Sequence, residues 1–252
     1  MISIKTPAEI KVMAEGGKRL AKIMRQLGKM IRPGIVTIEL EVLAERLLLN
    51  SGGKPSFKGY RGDDLNKPYP ACLCVSVNEE LVHAVPSGRI LKAGDIVSLD
   101  IGMERNGFHT DMARTFAVGK ISPMAKKLMV ITEKALEIGT KQVKPGNYIG
   151  DISFAIQGYV EKNNLNVVRE LCGHGIGRKL HEDPQIMNFG KKGEGELLKE
   201  GMVICIEPMV TIGYWRLKQS ADGFGYETKD GSLSCHFENT MAVTKRGVKI
   251  LT

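Results

Sequence analysis

The chain has 252 residues, of which 42% are hydrophobic and 25% charged, and its formal net charge at pH 7 is +8. This length fits one large domain or two small ones and can bury a substantial core. No apolar run approaches the roughly 20 residues that span a bilayer, which excludes a membrane-spanning helix. The first residues contain no signal-peptide core, so we expect no secretion signal.

The cysteines indicate the redox compartment. Their number is odd and none form a CxxC pair, which favours reduced thiols over a disulfide framework. We therefore expect a cytoplasmic protein. Zinc-ribbon and zinc-finger modules use closely spaced cysteine pairs, so we expect neither in this chain. The five are Cys72, Cys74, Cys172, Cys205 and Cys235.

The first predicted helix begins at a capping box, Thr6 to Glu9, with Pro7 at its first position. Basic residues recur along it at helical spacing and predict one basic stripe. One interpretation is that this stripe is simply the solvent-exposed face of the helix. The alternative is a surface that approaches RNA phosphates, such as those of the ribosome, without reading sequence. The stripe consists of Lys18, Lys22, Arg25, Lys29 and Arg32.

The chain contains an internal repeat. Leu91–Asp100 matches Leu198–Glu207 without a gap, and each copy has a Gly turn, an apolar run of strand length and a final acid. Other landmarks repeat in the same order: a Pro-Gly pair between two helices, a Leu-Cys segment ending in His-x-x-Pro, and a Thr-x-Ala-Val strand. Their positions are 31–34 and 143–146, 73–86 and 171–184, and 115–118 and 240–243.

Each half therefore reads as two helices followed by strands. A third helix should begin at Ser122-Pro123, and the second helices of the halves should cover about 37–50 and 149–163. Strands that follow a helix pair and are joined by short turns predict an α+β fold with a largely antiparallel, curved sheet. We expect a single domain of two repeat-related halves, about 1–120 and 121–252, with helices covering one face and the site at the seam.

Acids mark the site. Asp100 and Glu207 each close a predicted buried strand, which is costly unless the carboxylate is paired or binds a cation. Asp111 and Glu238 precede the Thr-x-Ala-Val strands at even offsets, so strand geometry places each on the same face as its threonine. His174 lies between two glycines, which we expect to let the backbone turn tightly and present the ring.

Four acids and one histidine form an oxygen-rich ligand set that suits Mn, Fe(II), Co or Zn. Several carboxylates cannot share a pocket in ionised form without cations between them, so two divalent metals would relieve the repulsion. The other two histidines that flank ligand acids, His109 and His236, are expected to point elsewhere.

These motifs resemble type I methionine aminopeptidases, metallopeptidases of the pita-bread fold, over essentially the whole chain. The residues that carry the resemblance are Cys74–Glu79, Gly94–Val97, Thr110–Thr115, Cys172–Gly177, Gly201–Met202 with Ile206–Met209, and Glu238–Thr240. All five of the family's metal ligands have a counterpart here, as do its two catalytic histidines, at His83 and His181. The type II insertion and the zinc-binding extension of eukaryotic type I enzymes are missing, so a bacterial-type enzyme is expected.

The resemblance implies two metals bridged by Asp111 and Glu238, with Asp100 completing one metal and His174 with Glu207 the other. It also implies a metalloaminopeptidase that removes the initiator methionine from nascent chains whose second residue is small. A metal-activated water would be the nucleophile, and Glu207 the proton shuttle.

The two histidines would act on the substrate. His181 would donate to the oxyanion of the tetrahedral intermediate, and His83 would contact the scissile amide nitrogen or the second residue. Both would therefore bind substrate. We expect a monomer that meets nascent polypeptide N-termini and no membrane.

The resemblance is weakest around the methionine pocket. Phe224 stands where Trp is usual, Leu180 where an aromatic is frequent, and Ala84 where Gly is usual, and positions 61–67 look like a small insertion. Methionine contacts are assigned to Tyr69, Cys74 and Phe224, with Tyr60 a weaker candidate.

Two alternatives remain at this point. The first is another enzyme of the same fold, a prolidase or Xaa-Pro aminopeptidase, although those normally carry a separate N-terminal domain. The second is a non-catalytic pita-bread protein that binds RNA or other proteins, although such proteins lose ligands and all five are present here.

Overall fold

A computed structural model describes residues 2–62 and 67–252, and its four long helices match the sequence prediction. They are α1 (Pro7–Met30), α2 (Thr37–Asn50), α3 (Pro123–Thr140) and α4 (Ile149–Lys162). The helix starts follow from local chemistry. The Thr6 hydroxyl accepts from the Glu9 backbone N–H while the Glu9 carboxylate accepts from the Thr6 N–H, and the Ser122 hydroxyl caps α3. Only the end of α4 differs from the prediction, by one residue.

Fifteen short or medium strands accompany the helices in the described ranges, and the pairs that they form there are antiparallel. The expected α+β class is therefore confirmed. The strands are β1 (Lys54–Pro55), β2 (Leu73–Val77), β3 (Glu80–Val82), β4 (Ile96–Arg105), β5 (Phe108–Ala117), β6 (Asn166–Val167), β7 (Cys172–Gly175), β8 (Glu182–Met187), β9 (Val203–Ile206), β10 (Met209–Thr211), β11 (Leu217–Gln219), β12 (Tyr226–Thr228), β13 (Ser234–His236), β14 (Asn239–Thr244) and β15 (Gly247–Ile250).

The strands of the first half are built around the β4–β5 hairpin. Its register runs without interruption from Ile96 opposite Ala117 to Arg105 opposite Phe108. The prediction that Asp100 closes a strand is wrong, because β4 continues through Asp100 for five more residues. Asp111 likewise lies inside β5 rather than ahead of a closing strand.

The second half uses shorter strands, and its central sheet has the order β15-β14-β9-β7-β8. Glu207 does follow the end of β9, as predicted. Glu238 lies between β13 and β14, so the even-offset strand argument does not apply to it. The Thr240–Val243 strand does not close the half either, because β15 pairs with it afterwards.

Each half has its own apolar core beneath its helix pair. The first core joins α1 and α2 to β2 and β4 through side chains such as Leu20, Leu40 and Leu99. The second joins α3 and α4 to β9 and β14 through Leu128, Ile156 and others. This pattern of duplicated halves agrees with the predicted architecture, and the domain boundary near residue 120 stays a prediction.

A third cluster joins the halves at the seam. It contains Met13, Tyr69 and Cys74 from the first half with Leu180 and Phe224 from the second. The acids and histidines singled out in the sequence surround this cluster. At the seam, the acids and histidines of both halves therefore lie next to one shared apolar cluster.

The basic stripe is exposed along its whole length. Four of its members lie on α1, while Arg32 follows the Ile31 C-cap and is outside the helix. Within the described ranges, no helix combines the length and the apolar character needed to cross a membrane.

Candidate metal centre and active site

A cavity of about 600 Å³, counted to its open mouth, lies at the seam. It brings together every residue that the sequence analysis assigned to a metal, catalytic or substrate-binding role. Its lining consists of Phe57, Tyr60, Tyr69, Cys74, His83, Asp100, Asp111, His174, Leu180, His181, Glu207, Phe224 and Glu238. The cavity has an acidic end and an apolar end, which are described in turn.

The pleat of the first-half hairpin brings Asp100 and Asp111 together. Asp100 lies opposite Ala113, and Asp111 is two residues from Ala113, so both carboxylates project from the same face. Cys74 lies opposite Asp100 on the other side, which places it on that face too. Carboxylate oxygens of Asp100, Asp111 and Glu238 all lie within 4.8 Å of one another.

Backbone and side-chain hydrogen bonds hold the acids in place. The Met112 N–H donates to Asp111 Oδ1 at 2.9 Å, and the Thr240 hydroxyl accepts from the Asp111 N–H at 2.9 Å. The Arg114 guanidinium donates to the Glu238 carbonyl oxygen and, at 2.6 Å, to Asn239 Oδ1. Glu238 is therefore positioned by cross-half contacts rather than by a strand.

The acids are crowded and poorly solvated. Burial raises the pKa of Asp100 well above its usual range, and the neighbouring Asp111 and Glu207 charges raise it further. Burial raises the pKa of Asp111 to about 7. Burial and the Asp111 charge also raise the pKa of Glu207, and burial with the three other acids raises the pKa of Glu238. Without a cation, these groups favour their protonated forms.

Two buried carboxylate oxygens, Asp100 Oδ1 and Glu238 Oε1, have no hydrogen-bond partner in the described parts of the chain. Leaving such oxygens unpaired is costly, and a divalent cation would satisfy both. An acid-rich donor set with one histidine is typical of hard or borderline metals such as Mn, Fe(II), Co and Zn. The residues present therefore fit a divalent metal centre.

His174 is oriented so that its outer nitrogen is available. Its Nδ1 lies 2.8 Å from the Gly175 carbonyl oxygen, which can only accept, so Nδ1 carries the proton. Nε2 is then unprotonated, and its lone pair can bind a metal. Burial lowers the ring's pKa to about 3, which keeps it neutral. Its Nε2 lies 3.7 Å from Glu207 Oε1. Ring nitrogen, Glu238 oxygen and the Cys205 sulfur also lie within 4.8 Å of one another.

The glycines around His174 serve a different purpose from the expected tight turn. Gly173 and Gly175 lie in strand β7 and neither has a positive φ. A Cβ atom at Gly173 would collide with the Cys205 carbonyl oxygen, and one at Gly175 with the Asp183 carbonyl oxygen. The glycines are required because neighbouring backbone packs directly against the strand.

The two histidines assigned to catalysis, His83 and His181, both line the cavity. His83 has a φ of 60°, a conformation that is strained for a residue other than glycine. Burial lowers the pKa of His83 to about 4. Partial desolvation also lowers the pKa of His181 to about 4, although its ring stays exposed at the cavity mouth. The His181 ring packs edge-on against His174 with centroids 4.4 Å apart.

The apolar end of the cavity is walled by aromatic and aliphatic side chains. Tyr69 and Phe224 meet edge to face with ring centroids 5.4 Å apart. The single proton of the Tyr69 hydroxyl is shared between the Leu73 and Ala84 carbonyl oxygens, which lie 3.2 and 3.1 Å from Oη. Leu180 completes the apolar wall. The predicted insertion at 61–67 lies partly outside the described residues.

Sequence reasoning underrated two aromatic residues. Phe57 lines the cavity and received no role. Tyr60 received a weak one, yet its hydroxyl lies 2.7 Å from His181 Nδ1. Its nearness to the pocket loop was the available signal, but the partner is 121 residues away and no sequence pattern links the two.

The prediction that His236 points elsewhere is wrong. Its ring is buried and its Nε2 lies 3.5 Å from Glu207 Oε2. In contrast, His109 does point away from the acids, since its Nδ1 bonds the Ser56 hydroxyl at 2.9 Å. The reason for the difference is that His236 ends β13 opposite Met209, next to the loop that carries Glu207.

Fold and cavity together define a class of protein, the metal-dependent hydrolases, in which clustered carboxylates and a histidine hold metal beside a substrate pocket. The chain belongs to metallopeptidase family M24, whose family model matches residues 11–245. Its place within the family follows from its relatives.

The chain is 49% identical over 252 residues to methionine aminopeptidase 1 of Bacillus subtilis (strain 168), covering 100% of this chain and 99% of the relative. Its structure matches that of a methionine aminopeptidase from Thermotoga maritima with a TM-score of 0.96 and 44% identity, covering 100% and 99% of the two chains. The predicted resemblance to bacterial methionine aminopeptidases is therefore confirmed.

A more distant neighbour shares the fold alone. An Xaa-Pro dipeptidase from Bacillus anthracis matches with a TM-score of 0.78 at 24% identity, covering 99% of this chain but 61% of the other. The architecture common to these enzymes is the pita-bread fold, as predicted.

Proposed function

We propose that the protein hydrolyses the peptide bond after an N-terminal methionine, using water activated at two divalent metal ions. The observation that carries this proposal is the convergence of four carboxylates and His174 at one end of an apolar pocket. The high identity to methionine aminopeptidases over the full chain supports the same activity.

Five residues would hold the metals. Asp111 and Glu238 would be shared, Asp100 would complete one metal, and His174 with Glu207 would complete the other. When bound, the metals supply Lewis acidity that lowers the pKa of a water molecule to near neutrality. A ligand set of carboxylates and one imidazole accepts Co, Mn, Fe and Zn.

Glu207 would move the proton. Its carboxylate lies at the border between the acid cluster and the cavity, beside His174 and His236. Burial and neighbouring charge raise its pKa, which is the direction that suits a group that takes a proton from water and passes it to the leaving amine.

The histidines would act on the peptide. His181 reaches the cavity mouth, where a ring N–H can donate to the carbonyl oxygen as it becomes an oxyanion. His83, which also lines the cavity, would contact the scissile amide nitrogen or the second residue. A peptide lying between them has its first side chain in the apolar end.

Tyr69, Cys74 and Phe224 would contact the methionine side chain, together with Phe57 and Leu180. An apolar wall with aromatic edges suits a flexible thioether, since sulfur makes favourable contacts with aromatic rings. A small second residue is expected because the initiator methionine is removed from nascent chains of that type in the family it resembles.

The surroundings of the enzyme are also part of the proposal. We place it in the cytoplasm as a monomer that meets nascent chains, with the basic stripe approaching ribosomal RNA phosphates. Exposure of all five basic side chains supports this role. Charge reversal at Lys18, Lys22 and Arg25 should weaken salt-sensitive co-sedimentation with ribosomes without changing peptide hydrolysis. Unchanged co-sedimentation would mean that the stripe is only a solvent-exposed face of the helix.

The activity is tested with peptides on protein freed of metal and then supplied with Mn, Fe(II), Co or Zn. We expect release of methionine from Met-Gly-Met-Met in at least one metal, and little hydrolysis of Xaa-Pro peptides. No turnover with any of the four metals would refute the enzyme assignment. A preference for Xaa-Pro peptides would move the chain to the prolidase branch of the fold.

A further inference from the structure

We propose that Tyr60 is a positioning residue that holds His181 in the tautomer with its proton on Nε2. The proposal rests on the function proposed above, in which His181 donates to the oxyanion. Tyr60 Oη lies 2.7 Å from His181 Nδ1. The two rings meet edge to face, with centroids 5.1 Å apart and an interplanar angle of 89°.

The tyrosine is held by its own loop. The Tyr60 N–H donates to the Phe57 carbonyl oxygen at 2.8 Å, and the Tyr60 carbonyl oxygen accepts from the Tyr69 N–H at 2.9 Å. The Gly59 N–H donates to the Tyr69 carbonyl oxygen at 2.8 Å, which closes the base of the loop. These bonds fix where the Tyr60 hydroxyl meets the imidazole.

The histidine's segment is anchored as well. Glu182, the next residue, accepts from the buried Lys5 ammonium at 2.6 Å and from the Lys179 N–H at 3.0 Å. The backbone segments that carry Tyr60 and His181 are therefore both held in place by hydrogen bonds. A hydrogen bond between two anchored groups can select one protonation pattern of the ring.

The chemistry of the two groups sets the direction of the bond. In a neutral imidazole one nitrogen is a donor and the other an acceptor. The in-plane lone pair of the unprotonated imidazole nitrogen is a better hydrogen-bond acceptor than a neutral phenol oxygen, whose lone pair is delocalised into its ring, and the phenol O–H is a good donor. The Tyr60 hydroxyl therefore donates to Nδ1. The proton of the ring then lies on Nε2, where it can reach the substrate oxygen.

The neighbouring histidine makes a useful contrast. His174 meets a carbonyl oxygen at Nδ1, which can only accept, so its Nε2 is left without a proton and can bind metal. His181 meets a hydroxyl at the same ring position, which allows the opposite tautomer. Two rings 4.4 Å apart are thereby prepared for opposite tasks, ligand and donor. Donation from Tyr60 also polarises the ring and strengthens its Nε2–H bond to an oxyanion.

The test uses ¹⁵N NMR of histidine-labelled, metal-free protein, which contains five histidines. The His181 signals are assigned with a His181→Gln variant. Wild type should show an unprotonated Nδ1 and a protonated Nε2, while Tyr60→Phe should give a mixture of tautomers. Tyr69→Phe is the matched control, because it removes a hydroxyl from the same cavity that bonds backbone carbonyls instead of His181, and it should leave the His181 signals unchanged.

Kinetics supply the second readout on the metal-supplied enzyme. In Tyr60→Phe, kcat for methionine release should fall about tenfold, as expected for the loss of one hydrogen bond worth about 1.4 kcal/mol, with KM changed less than about twofold. A rise in KM alone would overturn the proposal in favour of a plain pocket contact. A proton on Nδ1 in wild type, or the wild-type tautomer in Tyr60→Phe, would also overturn it. Because the NMR needs no turnover, failure of this proposal is distinguishable from failure of the proposed function.

Discussion

The two halves contribute to the cavity in different ways. The first half places Asp100 and Asp111 on a hairpin of two ten-residue strands with continuous register, so the pleat decides where the carboxylates go. The second half places His174 in a four-residue strand and Glu207 and Glu238 just outside strands. Its side chains therefore depend on contacts from elsewhere, such as Arg114 for Glu238. The regular hairpin of the first half places two carboxylates side by side, whereas the shorter strands and loops of the second half place one imidazole and two carboxylates.

The difference also separates roles. Proposed metal ligands come from both halves, but the two histidines beside the proposed proton shuttle, His174 and His236, come from the second half. His181 belongs to that half too. The first half supplies His83 and the loop that carries Tyr60. We infer that the duplicated acids form the metal centre and that the second half adds the groups that make it reactive.

The largest effect is expected at an acid shared between the metals. Glu238→Gln keeps the shape of the side chain and removes its charge, so both metals should bind weakly. Turnover should fall by more than about a thousandfold, beyond the roughly 10- to 100-fold cost of residues that only support a ligand. Metal content by mass spectrometry after gel filtration measures it, with the exposed Glu200→Gln as control. Retention of two tightly bound metals would contradict the assignment of Glu238.

His181→Ala separates chemistry from metal binding. The ring packs against the proposed ligand His174 but is not itself a proposed ligand, so calorimetry should find metal affinity within about twofold of wild type. The kcat should fall by about 100- to 1,000-fold, as for other oxyanion donors, which are worth about 3–4 kcal/mol. Substantially weaker metal binding would mean that His181 supports the ligands instead.

His236 tests whether the second half controls its own carboxylate. His236→Ala removes the group 3.5 Å from Glu207 Oε2, and metal affinity or turnover should fall roughly 10- to 100-fold. His236→Gln keeps an N–H in reach and should recover much of the loss. Equal activity in the alanine variant and wild type would show that Glu207 needs no support from this side.

The smallest effect is the pH dependence of stability in the metal-free protein. The pKa of Asp111 is raised to about 7 in the folded chain, against about 3.9 when unfolded. Its protonated form favours folding, so that contribution is present below pH 4 and is lost as the pH rises to about 7. Asp111→Asn removes the charge, so the variant should not lose this stability as the pH rises. The Tm of the variant relative to wild type should therefore increase from pH 5 to pH 8, by about 2–4 °C for each kcal/mol. A constant difference across that range would contradict the crowding of the acids, and added metal should remove the trend in wild type.

Much of the architecture could be predicted because its signals are local. The capping residues Thr6 and Ser122 decide where α1 and α3 begin, and the neighbouring residues carry that information. The acids could be found because buried carboxylates need a partner wherever they lie. The position of Asp100 within its strand could not, since β4 continues past Asp100 to a length that is set by pairing with β5.

The supporting contacts could not be predicted because they join distant parts of the chain. Tyr60 meets His181 across 121 positions, and His236 meets Glu207 through the pairing of β13 with β10. Gly173 illustrates the same limit. Its presence was noticed, but the reason is the Cys205 carbonyl oxygen of the adjacent strand, which no local pattern reveals.

The two-metal mechanism is tested by a titration of metal-free protein with Mn, in which bound metal and methionine release from Met-Gly-Met-Met are measured on the same samples. We expect no release without metal, activity that rises as the acid cluster is filled, and binding that saturates at two ions per chain. Methionine release that persists in metal-free protein, or tight binding of metal by a variant lacking both Asp111 and Glu238, would contradict it.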